Sequence, residues 1–172
     1  MNDATESFVY FAYGSNMLSR RLRERTPSAT PIGVGYVSSR RLAFDKVSRD
    51  GSGKCDIEVT ANATDRVYGV LFKISLTEKP KLDVAEGLGK GYKEEQIQVV
   101  MPNGYMHNAI AYSATEKEKA LCPYHWYKAL VIAGANEHKL PSDYIEWLRT
   151  FDSQCDHNDA RRAKNESLLL AG

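Results

Sequence analysis

The run Phe8-Val9-Tyr10-Phe11-Ala12-Tyr13 is apolar and aromatic without interruption and stops at Gly14. A short continuous run of that kind predicts a strand buried on both faces. Ser15 or Asn16 then suits the cap of a helix whose apolar stripe is Met17, Leu18 and Leu22, ending before Pro27. Residues 33–44 read as one or two strands and 48–54 as a polar loop, with 67–74 the clearest strand after the first. Residues 75–87 read as a helix, capped by Ser75 or Thr77, tolerating Pro80 in its first turn and stopped by Gly87. Two strands over 92–101 and 105–114 meet at Pro102-Asn103-Gly104, a hairpin signal. Beyond Pro123 the pattern turns helical over 124–135 and 142–151, with Gly134 and Pro141 as punctuation, and a polar helical stretch follows over 159–170. Strands first and helices last predict an α+β fold with a mostly antiparallel sheet or small barrel.

Composition narrows the function more than the fold. The chain has 172 residues, 42% hydrophobic, which suits one domain; we expect it over 8–152, with 153–172 as a tail. Lys and Arg number 23 against 22 Asp and Glu, so a net charge of +1 gives no footprint for a nucleic-acid partner. No run approaches the length of a membrane span, and the opening MNDATES lacks the basic-then-apolar pattern of a leader, so a cytoplasmic protein is expected. Cys55, Cys122 and Cys155 are widely spaced, which suggests neither a disulfide framework nor a zinc site. Cys155-Asp156-His157 has no second ligand pair to complete a metal centre.

Few features carry chemistry by pattern alone. Tyr13-Gly14-Ser15-Asn16 lies where a buried strand turns into a helix, and the free N–H groups there suit a carboxylate or an oxyanion; an ordinary capped turn explains it equally. Ser15 lacks the flanking glycines of a nucleophile elbow. Gly87-Leu88-Gly89-Lys90-Gly91 follows a helix instead of preceding one and lacks Ser or Thr after Lys90, so it is no phosphate loop. Arg20, Arg21, Arg23 and Arg25, interleaved with Glu24, read as a solvated helix face. Glu86, at the end of its helix, has nothing in its local pattern to single it out.

Several stretches taken together resemble one family. The opening 8–18, through Tyr13-Gly14-Ser15-Asn16, is similar to the Y-G-S-N signature of gamma-glutamylcyclotransferases, and Arg25-Thr26-Pro27-Ser28-Ala29 continues in the same style. Val67-Tyr68-Gly69-Val70 resembles the family's V-W-G-V strand. Leu82-Asp83-Val84-Ala85-Glu86-Gly87, followed by Gly91-Tyr92, resembles the L-D-x-x-E-G…Y segment that holds the family's catalytic glutamate. Pro123-Tyr124-His125-Trp126-Tyr127-Lys128, with Gly134-Ala135 and 140–144, resembles its C-terminal helical segment. The likeness covers about residues 8–151 and leaves the tail outside. It departs at Gly53-Lys54-Cys55-Asp56-Ile57, where the family often has a glycine pair, so a different pocket wall is expected there.

The resemblance implies a small mixed, mostly antiparallel β-barrel flanked by helices. It implies cyclisation of a γ-glutamyl amino acid to 5-oxoproline, with no metal and no cofactor. Glu86 would be general base and then general acid. Tyr10, Phe11, Ala12, Tyr13, Gly14, Ser15 and Asn16 would grip the γ-glutamyl part, with Tyr127 and Tyr92 beside it. The partner would be a small γ-glutamyl molecule, with neither nucleic acid nor membrane involved; a homodimer is left open. Asn16 favours the amino-acid branch over sister activities on γ-glutamyl-amines or glutathione, whose turns read Y-G-T-L or Y-G-S-L. The remaining alternative is a non-enzymatic γ-glutamyl-binding module.

Overall fold

The computed structural model describes residues 5–170. Strands β1 (Ser7–Ala12), β2 (Thr30–Ser38), β3 (Arg40–Val47), β4 (Gly53–Val59) and β5 (Arg66–Ser75) come first, with helix α1 (Ser19–Arg25) between β1 and β2. Helix α2 (Lys79–Glu86) precedes the hairpin β6 (Tyr92–Val100) and β7 (Met106–Ala114). Helices α3 (His125–Glu137), α4 (Ser142–Arg149) and α5 (Asp159–Leu170) close the chain.

Five strands form a closed barrel in the order β1-β5-β2-β6-β7. β5 is its spine: Val67, Val70, Leu71, Phe72 and Ile74 are fully buried, which is why the sequence there is apolar without alternation. It pairs antiparallel with β1 from Ser7↔Ser75 to Ala12↔Val70 and with β2 from Thr30↔Lys73 to Ser38↔Arg66. β6 alternates instead, burying Ile97 and Val99 and turning Gln96 and Gln98 outward. The barrel closes where β1 meets β7 in parallel at Tyr10↔Ile110. The fold is therefore α+β around a mixed, mostly antiparallel barrel, as the strand-then-helix pattern implies.

β3 and β4 form a separate two-stranded ribbon. The sequence reading has a polar loop running to Lys54 and no strand after it, yet β4 begins at Gly53. Its buried residues are Gly53, Cys55, Asp56 and Ile57, so the carboxylate breaks the apolar signal. Asp56 is nonetheless structural: Oδ1 accepts the Ala114 N–H at 2.7 Å and Oδ2 lies 2.6 Å from Lys117 Nζ, tying the ribbon to the end of β7.

Three further expectations need correction. Ser15 and Asn16 do not cap a helix. They lie buried in a single 3-10 turn (Ser15–Met17), and the extended Leu18 separates it from α1. Ser75 and Thr77 do not cap α2 either, because another 3-10 turn (Leu76–Glu78) intervenes; Gly87 does end it, with φ 68°. Gly134 does not end α3, which continues to Glu137. A Cβ at Gly134 would lie 2.5 Å from the Leu18 nitrogen and 2.6 Å from Met17 Cβ, so its glycine lets α3 sit directly on the turn after β1.

The tail is fastened to the same helix. Buried Asp156 accepts Trp126 Nε1 at 2.9 Å and both Nε and Nη2 of Arg161 at 2.7 and 2.6 Å. Those bonds hold its carboxyl well below the usual range. Arg20 and Arg21 of α1 reach α5 through the Leu168 carbonyl and Asn165 Oδ1.

The ribbon also carries a pH-dependent element. Carboxylate oxygens of Asp45, Asp56 and Glu58 lie within 4.8 Å of one another. Burial, reinforced by Glu58, pushes the Asp45 carboxyl up to about 6. The folded chain then keeps a proton that the unfolded chain releases near pH 3.9, so stability falls as pH rises from there to about 6. Carboxyls held below their usual range, such as Asp156, act with the opposite sign, so the test is a difference. Relative to Asp45→Asn, the unmodified protein should lose denaturation midpoint as pH rises from about 4 to 7.

Candidate active site

Glu86, the last residue of α2, meets the end of β1 and the turn behind it. Its Oε1 accepts the Tyr10 hydroxyl at 2.9 Å and Asn16 Nδ2 at 2.5 Å. Asn16 Nδ2 also lies 3.2 Å from the Tyr10 oxygen. Arg25 donates Nη1 to Asn16 Oδ1 at 2.8 Å, which fixes the amide with its NH2 toward Glu86. Burial, then the Glu86 charge, drives the Tyr10 phenol well above its ordinary pKa, so it remains a donor. Both bonds fall on one carboxylate oxygen. Among the described residues Oε2 takes none, and the side chain borders a cavity of about 690 Å³.

The opposite wall is the ribbon. Cys55 lies against Gly14, where an added Cβ would stand 3.1 Å from Cys55 Cβ and 3.3 Å from the Tyr127 hydroxyl. The Cys55 N–H donates to Tyr127 Oη at 3.1 Å, and its carbonyl accepts the Tyr92 hydroxyl at 2.6 Å. Tyr92 and Tyr127 thus border the cavity while their hydroxyls hold β4 in place. Burial pushes the Cys55 thiol up to about 12, so it is no nucleophile. Lys54 Nζ lies 4.3 Å from the Tyr127 ring centre and 4.4 Å from that of Trp126, with Asp50 Oδ2 at 3.1 Å. Burial lowers its ammonium to about 8.

The cavity gathers Tyr10, Tyr13, Gly14, Ser15, Asn16, Glu86, Tyr92 and Tyr127, all singled out in the sequence. Phe11 and Ala12 do not line it. Their side chains are fully buried in the barrel, whereas Tyr10 before them and Tyr13 after them reach the cavity. The arginine cluster also departs from expectation. Arg21 and Arg25 face the cavity, four residues apart on one side of α1, while Arg20 and Arg23 are exposed. Burial, then Arg25, lowers the Arg21 guanidinium to about 10. Lys54 and Cys55 border the cavity within the stretch 53–57, where the sequence led us to expect a different pocket wall. Lys46 beside them had no signal, because the ribbon is joined to the site only through tertiary contacts.

A small barrel with a single tethered carboxylate at a cationic cavity defines a pocket for a small ligand. The AIG2-like family model matches residues 66–148. Human gamma-glutamylcyclotransferase is 33% identical over 152 residues, covering 86% of this chain and 80% of that protein; the bovine enzyme is 32% identical over the same shares. A solved gamma-glutamyl cyclotransferase structure superposes with a TM-score of 0.85 at 29% identity, covering 97% of this chain and all of that one. The chain belongs to the gamma-glutamylcyclotransferase family.

Thiol reactivity checks the packing of this wall. Mass spectrometry after iodoacetamide treatment at pH 8 should find the exposed Cys155 alkylated in folded protein and Cys55 alkylated only after denaturation.

Proposed function

We propose that this family member converts a γ-glutamyl amino acid into 5-oxoproline and the free amino acid, with Glu86 carrying the proton. The observation that carries the assignment of roles is the asymmetry of Glu86: Tyr10 and Asn16 restrain one oxygen and leave the other for substrate.

The substrate's α-amine attacks its own γ-carbonyl. Nucleophile and electrophile share a molecule, so the protein's first task is to hold the folded conformer. The amine arrives as an ammonium; Glu86 Oε2 takes a proton from it. A new C–N bond closes the five-membered ring, and the γ-carbonyl oxygen becomes an oxyanion. Ring closure leaves the attacking nitrogen with one proton too many. As the tetrahedral species collapses, the bond to the departing nitrogen breaks and Glu86 gives that nitrogen its first proton. Glu86 then takes the second from the ring nitrogen, and this proton passes on to the released amine, which leaves as its ammonium. One carboxylate serves both steps because amine and leaving nitrogen flank the same carbon.

The N–H groups of Gly14, Ser15 and Asn16 have no backbone partner across the described sheet or turn, which makes them the donors for the oxyanion or the glutamyl carboxylate. Arg21 adds a cation on that side of the cavity. We place the protein in the cytoplasm. Its three cysteines are free, as a reducing compartment keeps them, and no helix among the described residues is long and apolar enough to cross a membrane.

Purified protein should release 5-oxoproline from γ-glutamyl-alanine. Glu86→Gln should lower kcat by about a hundredfold or more, the lower end for loss of a general acid–base group, with an unchanged circular-dichroism spectrum. Full activity in that variant contradicts the mechanism, whereas binding without turnover by the unmodified chain favours a binding module.

A further inference from the structure

The cations around the cavity are not equivalent. Arg25 holds Asn16, Arg21 reaches Asn165, Lys54 pairs with Asp50, and Arg49 and Lys90 border the cavity from exposed positions. Lys46 comes from the ribbon at the irregularity between Ala43 and Lys46, where the β3–β4 register shifts. Its Nζ stands 4.6 Å from the centre of the Tyr92 ring. Its stem is packed on the helix-to-strand loop, with Cε 3.0 Å from where a Cβ on Gly91 would lie. Lys46 is half-buried, and among the described residues no carboxylate approaches it within the 4.0 Å of an ion pair. Burial lowers its ammonium, and of the charges that oppose this Glu86 acts most strongly. The protein therefore holds an unneutralised cation beside its catalytic carboxylate, an arrangement that an incoming anion stabilises.

A γ-glutamyl amino acid brings two carboxylates. The glutamyl one shares its carbon with the attacking amine and so lies toward the turn and Arg21. The other sits on the carbon bonded to the leaving nitrogen, which must itself come within reach of Glu86 to be protonated. That second carboxylate falls in the shell around Glu86, in the cavity that Lys46 also lines. The cation–ring contact with Tyr92 keeps the ammonium in this position without neutralising it.

We infer that Lys46 is a subsite for the carboxylate of the departing amino acid. The inference rests on the cyclotransferase reading above and extends it from the reaction to the choice of leaving group. Glu86 and the turn recognise what every γ-glutamyl compound shares. Lys46 distinguishes an amino acid from a neutral amine.

The test uses γ-glutamyl-alanine and γ-glutamyl-alaninamide, which differ in that one carboxylate. Unmodified protein should prefer the acid in kcat/KM. Lys46→Met keeps the stem over Tyr92 and removes the charge; it should shrink that preference by about tenfold or more, the range of a charged hydrogen bond, with the change in KM. Lys46→Arg should restore much of the preference. A preference that Lys46→Met leaves intact overturns the subsite while the cyclotransferase reading stands. Unmodified protein that cyclises neither compound overturns the cyclotransferase reading, and the subsite with it.

Discussion

The hydrogen bonds that Tyr10 and Asn16 donate to Glu86 join segments 76 and 70 residues apart in the chain, and much of the structure is arranged around that junction. Tyr10 is also where β1 closes the barrel against β7, so the residue that completes the sheet is the one that reaches the carboxylate. Asn16 can do the same because the chain after β1 makes one tight turn and does not run directly into a helix. That turn is pressed between Gly134 of α3 and Cys55 of the ribbon. Barrel, ribbon and helices each contribute one wall, and no isolated element could present the site.

Local and global charge diverge here. The chain as a whole is nearly neutral, yet Arg21, Arg25, Lys46, Arg49, Lys54 and Lys90 border a cavity whose acids are Glu86 and Glu116. Desolvation makes such an arrangement unfavourable when empty, as the lowered Arg21, Lys46 and Lys54 pKa values reflect. A small substrate carrying carboxylates relieves it. On the proposed reaction the cations serve binding, while the restrained glutamate serves proton transfer. The two roles fall on opposite signs of charge within one pocket.

Most barrel strands were legible in sequence: β1 and β5 by their unbroken apolar runs and β6–β7 by Asn103-Gly104, whereas β2 was read together with β3 as one or two strands over 33–44. The helical tail was equally clear. β4 was hidden because Lys54 and Asp56 interrupt it, and both are used in tertiary contacts that no local pattern records. Ser15 and Asn16 have the chemistry of caps but are buried for another purpose, and Gly134 has the look of a helix stop but serves a close approach. Glu86 is indistinguishable from other acids by spacing. Resemblance picked it out, and the structure shows Tyr10 and Asn16 bonded to it. Lys46 had neither signal, since its importance depends on a ribbon folding back over Tyr92.

The central claim is that the free oxygen of Glu86 faces the substrate's α-amine. A crystal structure of the Glu86→Gln variant with γ-glutamyl-alanine bound tests it most directly. The account predicts the amine nitrogen at about 3 Å from the side chain at position 86, with Tyr10 and Asn16 still on its other polar atom. An amine held elsewhere in the cavity, with position 86 out of hydrogen-bond reach, would contradict it.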